Sequence, residues 1–272
     1  MPDLLSPLST APHKSAAFFD LDKTILATAS SMALRGPFVD AGLVTRRAAI
    51  MSVLVHLPYI LRGADENRMN EMAKTLGDLA KGIDARRLEA TVEESLDSVI
   101  DPVCYLEALE EITRHQAEGR PVIVASASAP EVVRPIAKRL GADGILATIV
   151  AKDEEGAFAG EILHFNQAEG KARACAELAA ERGWNLAECW AYSDSISDEP
   201  LLASVGHPVA VNPDRALRKI AEEREWRIER FEKKARVGRA LPRPPRKAVF
   251  GLGCALLAAS VAVSVSLRRT SA

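Results

Sequence analysis

Short apolar runs alternate along this chain with longer stretches whose apolar residues recur every three or four positions. Residues 16 to 20 form a compact run ending in an acid and read as a first strand. Val122-Ile123-Val124-Ala125, introduced by Pro121 and closed by Ser126-Ala127-Ser128, reads as a strand buried on both faces. Gly144 to Val150, Cys189 to Tyr192 and Pro208 to Val211 carry the same signal. Ala151 to Ile162, with its Glu155-Gly156 turn, reads as a hairpin. Helical spacing marks 105 to 118, 130 to 140 with proline in its first turn, 167 to 182 and 199 to 204.

Between the first strand and residue 104 the alternation stops. Val44 to Leu61, Glu66 to Lys81 and Arg86 to Ile100 all have helical spacing and few strand signals. The expected fold is therefore α/β, a doubly wound, mostly parallel, Rossmann-like sheet whose ligands bind beyond the carboxyl ends of its strands. The expected organisation is a core of 15–29 and 104–213, a helical cap at 30–103 inserted directly after the first strand, and a basic helical and Pro-rich linker at 214–247. An apolar segment at 248–267 completes it.

Composition adds limits. With 272 residues, 48% hydrophobic and 26% charged, the chain suits one α/β domain plus an insertion. A net charge of -2 gives no electrostatic case for nucleic acid. Its four cysteines form no C-x-x-C pair and its five histidines lack ligand spacing. From Asp214 to Lys247 thirteen Lys/Arg stand against six Asp/Glu, and the twenty residues Ala248 to Leu267 carry no charge. That length spans a bilayer as a helix, although Ser260, Ser264 and Ser266 lower its apolar character. Arg246-Lys247 and Arg268-Arg269 bracket it. The expectation is a single-pass C-terminal anchor in the cell membrane, with the body cytoplasmic by the positive-inside rule. Residues 1 to 14 lack the apolar core of a signal peptide.

Chemistry concentrates where strands end. In Asp20-Leu21-Asp22-Lys23-Thr24 two acids two apart aim the same way on an extended backbone. Such a pair can bind a hard cation, or one acid can attack while the other handles a proton, and it can also simply cap a loop. Ser126 can donate to an anion or form a turn. Lys171, after Gly170, can neutralise an anion or be solvated. Asp194 and Asp198, after the strand 189 to 192, can hold a cation, or Asp198 can cap the helix beginning at Glu199.

In this order the set resembles the four motifs of the haloacid dehalogenase superfamily, over residues 15 to 212. The wording Asp20-Leu21-Asp22, Ser126-Ala127-Ser128, Gly170-Lys171 and Tyr192-Ser193-Asp194-Ser195 is most similar to the phosphoserine-phosphatase-like subfamily IB. The resemblance implies Asp20 as nucleophile forming an aspartyl-phosphate and Asp22 as general acid and base. It implies Mg²⁺ held by Asp20, the Asp22 carbonyl and Asp194. Ser126 and Lys171 would bind the phosphoryl group, with Thr24 and Asp198 in support. An acid at position 22 implies phosphoryl chemistry, with hydrolysis expected ahead of phosphoryl transfer or an inactive, membrane-tethered binding protein of this fold.

The substrate departs from the subfamily's pattern. Phosphoserine phosphatases carry a glutamate for the substrate amine shortly after the first motif. Here that stretch is Leu26-Ala27-Thr28-Ala29-Ser30-Ser31. Ser31, Arg35, Arg46, Arg47 and Arg62 are candidate cap contacts for an anionic group. The expected substrate is a small phosphorylated metabolite or a lipid phosphate.

Overall fold

The computed structural model describes residues 3–5, 14–44 and 66–234. A seven-stranded sheet runs β1-β4-β3-β2-β7-β8-β9. Its strands are β1 (Asp3–Leu4), β2 (Ala17–Phe19), β3 (Val122–Ala125), β4 (Gly144–Leu146), β7 (Trp190–Ser193), β8 (His207–Val211) and β9 (Arg227–Glu229). All neighbours pair parallel except the edge pair β1 and β4. Successive side chains point to opposite faces, so Ala17 and Phe19 enter one apolar cluster while Ala16 and Phe18 enter the other. Burial on both faces is why these strands are unbroken apolar runs.

Helices cover both faces. On one lie α5 (Leu106–Ala117) and α6 (Pro130–Leu140), with α4 (Ala85–Glu94) packed on α6. On the other lie α7 (Glu169–Arg182), α8 (Glu199–Ser204) and α9 (Arg215–Glu223). Two short helices, α1 (Ser30–Ala33) and α2 (Arg35–Asp40), follow β2, and α3 (Glu66–Ala80) precedes α4. The helix expected over 44 to 61 lies outside the described residues apart from Val44, and so do Arg46, Arg47 and Arg62, the linker beyond Lys234 and the 248–267 segment. Among the described residues no helix is long and apolar enough to cross a membrane.

Three details differ from the sequence pattern. The run 144 to 150 is two strands, because the chain leaves the main sheet at Ala147-Thr148. There the Thr148 N–H donates to the Ser128 carbonyl, and β5 (Ile149–Lys152) then pairs with β6 (Phe158–His164) as a separate hairpin. The helix expected to reach Ile100 stops at Glu94 and passes through a π turn, Leu96–Ile100, and a 3-10 turn, Asp101–Val103. The segment from 214, expected as a basic helical and Pro-rich linker, is helical in α9 but also adds the edge strand β9 to the sheet. The hairpin carries α3 on its outer face at Gly77, where an added Cβ would lie 2.1 Å from the Gly160 carbonyl oxygen.

Beneath the strands that bear the acids is a buried polar chain. Phe19 of β2 stacks on Tyr192 of β7, with centroids 4.1 Å apart. Arg120 Nε donates to His115 Nδ1 at 2.9 Å, so the His115 proton sits on Nε2, which faces the Tyr192 hydroxyl at 2.8 Å. That hydroxyl donates to Glu111 at 2.6 Å. Burial, with Arg114 and Arg120 alongside, pushes the His115 pKa down from 6.5 to about 3.

A base with a lowered folded-state pKa contributes stability above its unfolded value and loses it as pH falls. Unfolding measured in urea from about pH 6.5 down toward about 3 should show this. In His115→Gln the loss should be shallower by up to one proton, about 1.4 kcal/mol per pH unit. Equal slopes in both proteins would contradict the buried neutral assignment.

Candidate active site

The order in which the strands are laid down places a switch point between β2 and β7. From β2 the chain builds outward through β3 and β4, then returns to build β7, β8 and β9 on the other side. The loops after β2, β3 and β7 leave the sheet at its carboxyl edge, where sheets of this kind bind their ligands. The seven expected residues all follow these strand ends or sit on α7 and the loop leading to α8.

Asp20 extends β2 by one residue, its N–H donating to the Tyr192 carbonyl at 2.9 Å. The chain then turns sharply. Lys23 has φ of 61°, and the N–H groups of Ile25 and Leu26 both donate to the Leu21 carbonyl. This turn sets Asp22 two residues beyond Asp20 at the loop's mouth. Its Oδ1 accepts the Ser30 N–H at 2.7 Å.

Lys171 is the hub. Its Nζ lies 2.7 Å from Asp20 Oδ1 and 2.7 Å from Asp198 Oδ2, and it is only 2% exposed. Ser193 Oγ also donates to Asp198 Oδ2, at 2.7 Å. The ammonium reaches this place because α7 begins tight against the preceding loop. A Cβ on Gly170 would fall 2.3 Å from the Phe165 carbonyl oxygen, and Ala168 takes φ of 48°. Glycine before the lysine is thus a steric requirement.

The remaining groups are held by their loops. Thr24 Oγ1 is 3.5 Å from Asp194 Oδ1. The Asp194 carbonyl accepts the Asp214 N–H, and the Asp214 carboxylate in turn accepts from Ile196, Ala216 and Leu217, joining the β7 loop to the start of α9. Ser126 is tied within its own loop, its Oγ accepting the Ser128 N–H at 3.1 Å and its carbonyl the Asn166 side chain at 3.0 Å. No hydrogen bond joins it directly to Asp20 or Lys171. Among the candidate cap contacts, Ser31 and Arg35 are exposed.

Ser30, Ser193, Asn166 and Asp214 were not singled out from sequence. Ser193 stands inside the fourth motif, and Asp214 precedes a helix as a cap residue should, so both left a local signal. Asn166 acts across a long sequence separation and Ser30 mainly through its main-chain N–H, so neither left one.

Electrostatics follow from burial. Burial pushes the Asp20 carboxyl well up, against the pull of Lys171, and the neighbouring acids add to the rise. Burial likewise raises Asp22, against the Ser30 hydrogen bonds. Asp194 is pushed up to about 7 by burial, offset in part by Lys23. For Lys171 burial opposes the charge, but Asp198 and Asp20 outweigh it, and the ammonium is held above its ordinary value. Four carboxylates thus face two lysines, Lys171 and Lys23, and Asp198 Oδ1 is buried without a hydrogen-bond partner. Among the described residues no three acidic, histidine or cysteine side chains form a ready cage for a metal. The donor set nevertheless fits Mg²⁺, which takes one or two carboxylates and keeps several waters. The excess negative charge calls for a cation.

Known proteins resemble this chain. The family model for haloacid dehalogenase-like hydrolases matches residues 17–203. A probable phosphatase of Mycobacterium tuberculosis is 41% identical over 268 residues, covering 97% of this chain and 93% of its own. A phosphoserine phosphatase of the same organism is 35% identical over 235 residues, covering 82% of this chain and 74% of its own. A solved phosphoserine phosphatase carrying an analogue of its phospho-aspartyl intermediate superposes with a TM-score of 0.58 at 18% identity, covering 81% of this chain and 94% of its own, a likeness of fold. With these matches the chain belongs to the haloacid dehalogenase-like hydrolases, as a phosphatase of that family.

Proposed function

We propose that this phosphatase hydrolyses phosphomonoesters through a covalent phosphate on Asp20, with Mg²⁺ as cofactor. The observation that carries the reading is Lys171 Nζ at 2.7 Å from both Asp20 Oδ1 and Asp198 Oδ2. An ammonium anchored this way fixes the Asp20 carboxylate and places positive charge where phosphoryl oxygens would gather.

The Asp20 carboxylate attacks phosphorus as the bond to the ester oxygen breaks, giving the acyl phosphate. Asp22 gives its proton to the departing oxygen. It then takes a proton from the water that attacks the acyl phosphate, releasing phosphate and restoring Asp20. Burial favours the protonated form of Asp22 with which the first step begins. Ser126 and Lys171 bind the phosphoryl oxygens, and Asp198 with Ser193 holds the lysine in place. Mg²⁺ would be held by Asp20, Asp194 and the Asp22 carbonyl, and when bound it neutralises charge on the phosphoryl group.

The small, uncharged Ala27 to Ser31 segment supports a substrate other than phosphoserine, since no carboxylate stands there for an amine. The uncharged 248–267 run, bracketed by basic pairs, supports a cell-membrane anchor with the catalytic body cytoplasmic. A lipid phosphate is then among the substrates worth offering.

Two experiments test these readings. Asp20→Asn should lower hydrolysis of p-nitrophenyl phosphate by at least about a thousandfold, and EDTA should abolish the wild-type activity until Mg²⁺ is restored. Wild-type turnover in Asp20→Asn would remove Asp20 as nucleophile. Deletion of residues 243 to 272 should move the protein from the membrane to the soluble fraction, and an unchanged distribution would refute the anchor.

A further inference from the structure

Asp22 has a partner outside the four motifs, Ser30. Ser30 is completely buried, and it is the first residue of α1. Helix starts leave N–H groups without intrahelical acceptors, and the residue before Ser30, Ala29, offers no side-chain cap. The carboxylate that fills this gap belongs to Asp22, eight residues earlier, with the Ser30 N–H 2.7 Å from Oδ1. The Ser30 hydroxyl also reaches Asp22 and stands 3.4 Å from the Ser128 hydroxyl, and the Ser128 N–H in turn holds Ser126 Oγ. One buried serine therefore joins the Asp22 carboxylate to the loop after β3.

Ser30 is itself held by main-chain geometry. Leu26 pairs antiparallel with Cys104, the Ala27 N–H donates to the Val103 carbonyl at 2.7 Å, and the Tyr105 N–H donates to the Ile25 carbonyl at 2.9 Å. This ribbon ties the chain on either side of the helical segment together and delivers Ser30 against Asp22. A carboxylate two residues past a strand, on a turn with a left-handed Lys23, would otherwise sample several rotamers.

We propose that Ser30 is a positioning residue for Asp22, its N–H and hydroxyl fixing the carboxylate in the rotamer that faces the ester oxygen. The inference rests on Asp22 acting as general acid. The role belongs mainly to the N–H, which any residue but proline supplies, so it leaves little trace in side-chain chemistry.

Helix geometry permits a clean test. The first helical position accepts proline, and Ala29 already has the extended backbone that a following proline demands, with φ of -67° and ψ of 136°. Ser30→Pro thus removes the N–H with the helix start retained, and Ser30→Ala removes only the hydroxyl. The measurement is kcat/KM for phenyl phosphate and p-nitrophenyl phosphate with Mg²⁺ present. These esters are alike in shape, but only the poorer leaving group, phenolate, needs full protonation.

Ser30→Pro should lose at least about tenfold more on phenyl phosphate than on p-nitrophenyl phosphate, with Ser30→Ala between it and wild type. Asp22→Asn should show the same selective loss, larger. An equal loss on both esters, or a wild-type ratio in Ser30→Pro while Asp22→Asn is selective, overturns the inference and leaves the role of Asp22 standing. Absence of selectivity in Asp22→Asn instead removes the general-acid reading and this inference with it. Thermal melting reports whether Ser30→Pro folds. If it does not, a crystal structure of the wild-type protein decides, and an Asp22 carboxylate turned away from the Ser30 N–H overturns the proposal.

Discussion

A buried ammonium shared between two carboxylates organises this molecule. Lys171 is buried within the range of the core leucines, and a lysine so placed is tolerated only when fully paired. Its partners are far apart in sequence, Asp20 beyond the first central strand and Asp198 before α8. Meeting both at 2.7 Å requires β2 and β7 to be neighbours in register and α7 to start hard against the preceding loop. Gly170 and the strained Ala168 supply that start. The Phe19 and Tyr192 stack, and the hydrogen-bonded chain through His115 beneath it, hold the two strands at the level from which the acids emerge.

The same cluster explains why chemistry and stability pull against each other here. Four acids and two lysines leave an excess of negative charge at a largely buried strand edge, and burial drives three of the acids toward protonation. A fold selected only for stability would replace such a cluster with apolar side chains. Its retention, with an oxygen of Asp198 left unpartnered, fits a site whose charge is completed by a cation and a phosphoryl group.

Much of this was legible in the sequence because parallel strands buried on both faces are unbroken apolar runs, and their last residues mark where ligands bind. Asp20, Ser126 and Asp194 are placed that way by the run of residues alone. The edges were not legible. β9 carries Arg227, Ile228 and Glu229 with two of the three exposed, so no apolar run announces it. The break at Ala147-Thr148 hides inside a continuous apolar stretch, because a side chain's polarity does not reveal a change of hydrogen-bonding partner. Ser30 was invisible for a related reason, since its contribution is largely a main-chain N–H brought to Asp22 by a turn and a paired ribbon. Side-chain patterns report burial and charge well, and backbone donors hardly at all.

The Lys171 ammonium holds the Asp20 and Asp198 carboxylates together. The most direct measurement is the urea unfolding free energy of Lys171→Met, without added metal, at neutral and mildly acidic pH. Methionine fills the lysine's volume without its charge and leaves two buried carboxylates unpaired. The variant should be less stable than wild type by about 3–5 kcal/mol at neutral pH. The deficit should shrink as the pH is lowered, because Asp20, raised by burial and deprived of the ammonium that opposes the rise, regains stability on taking up a proton. Equal stability of the two proteins at neutral pH, or a deficit that grows on acidification, would contradict this pairing.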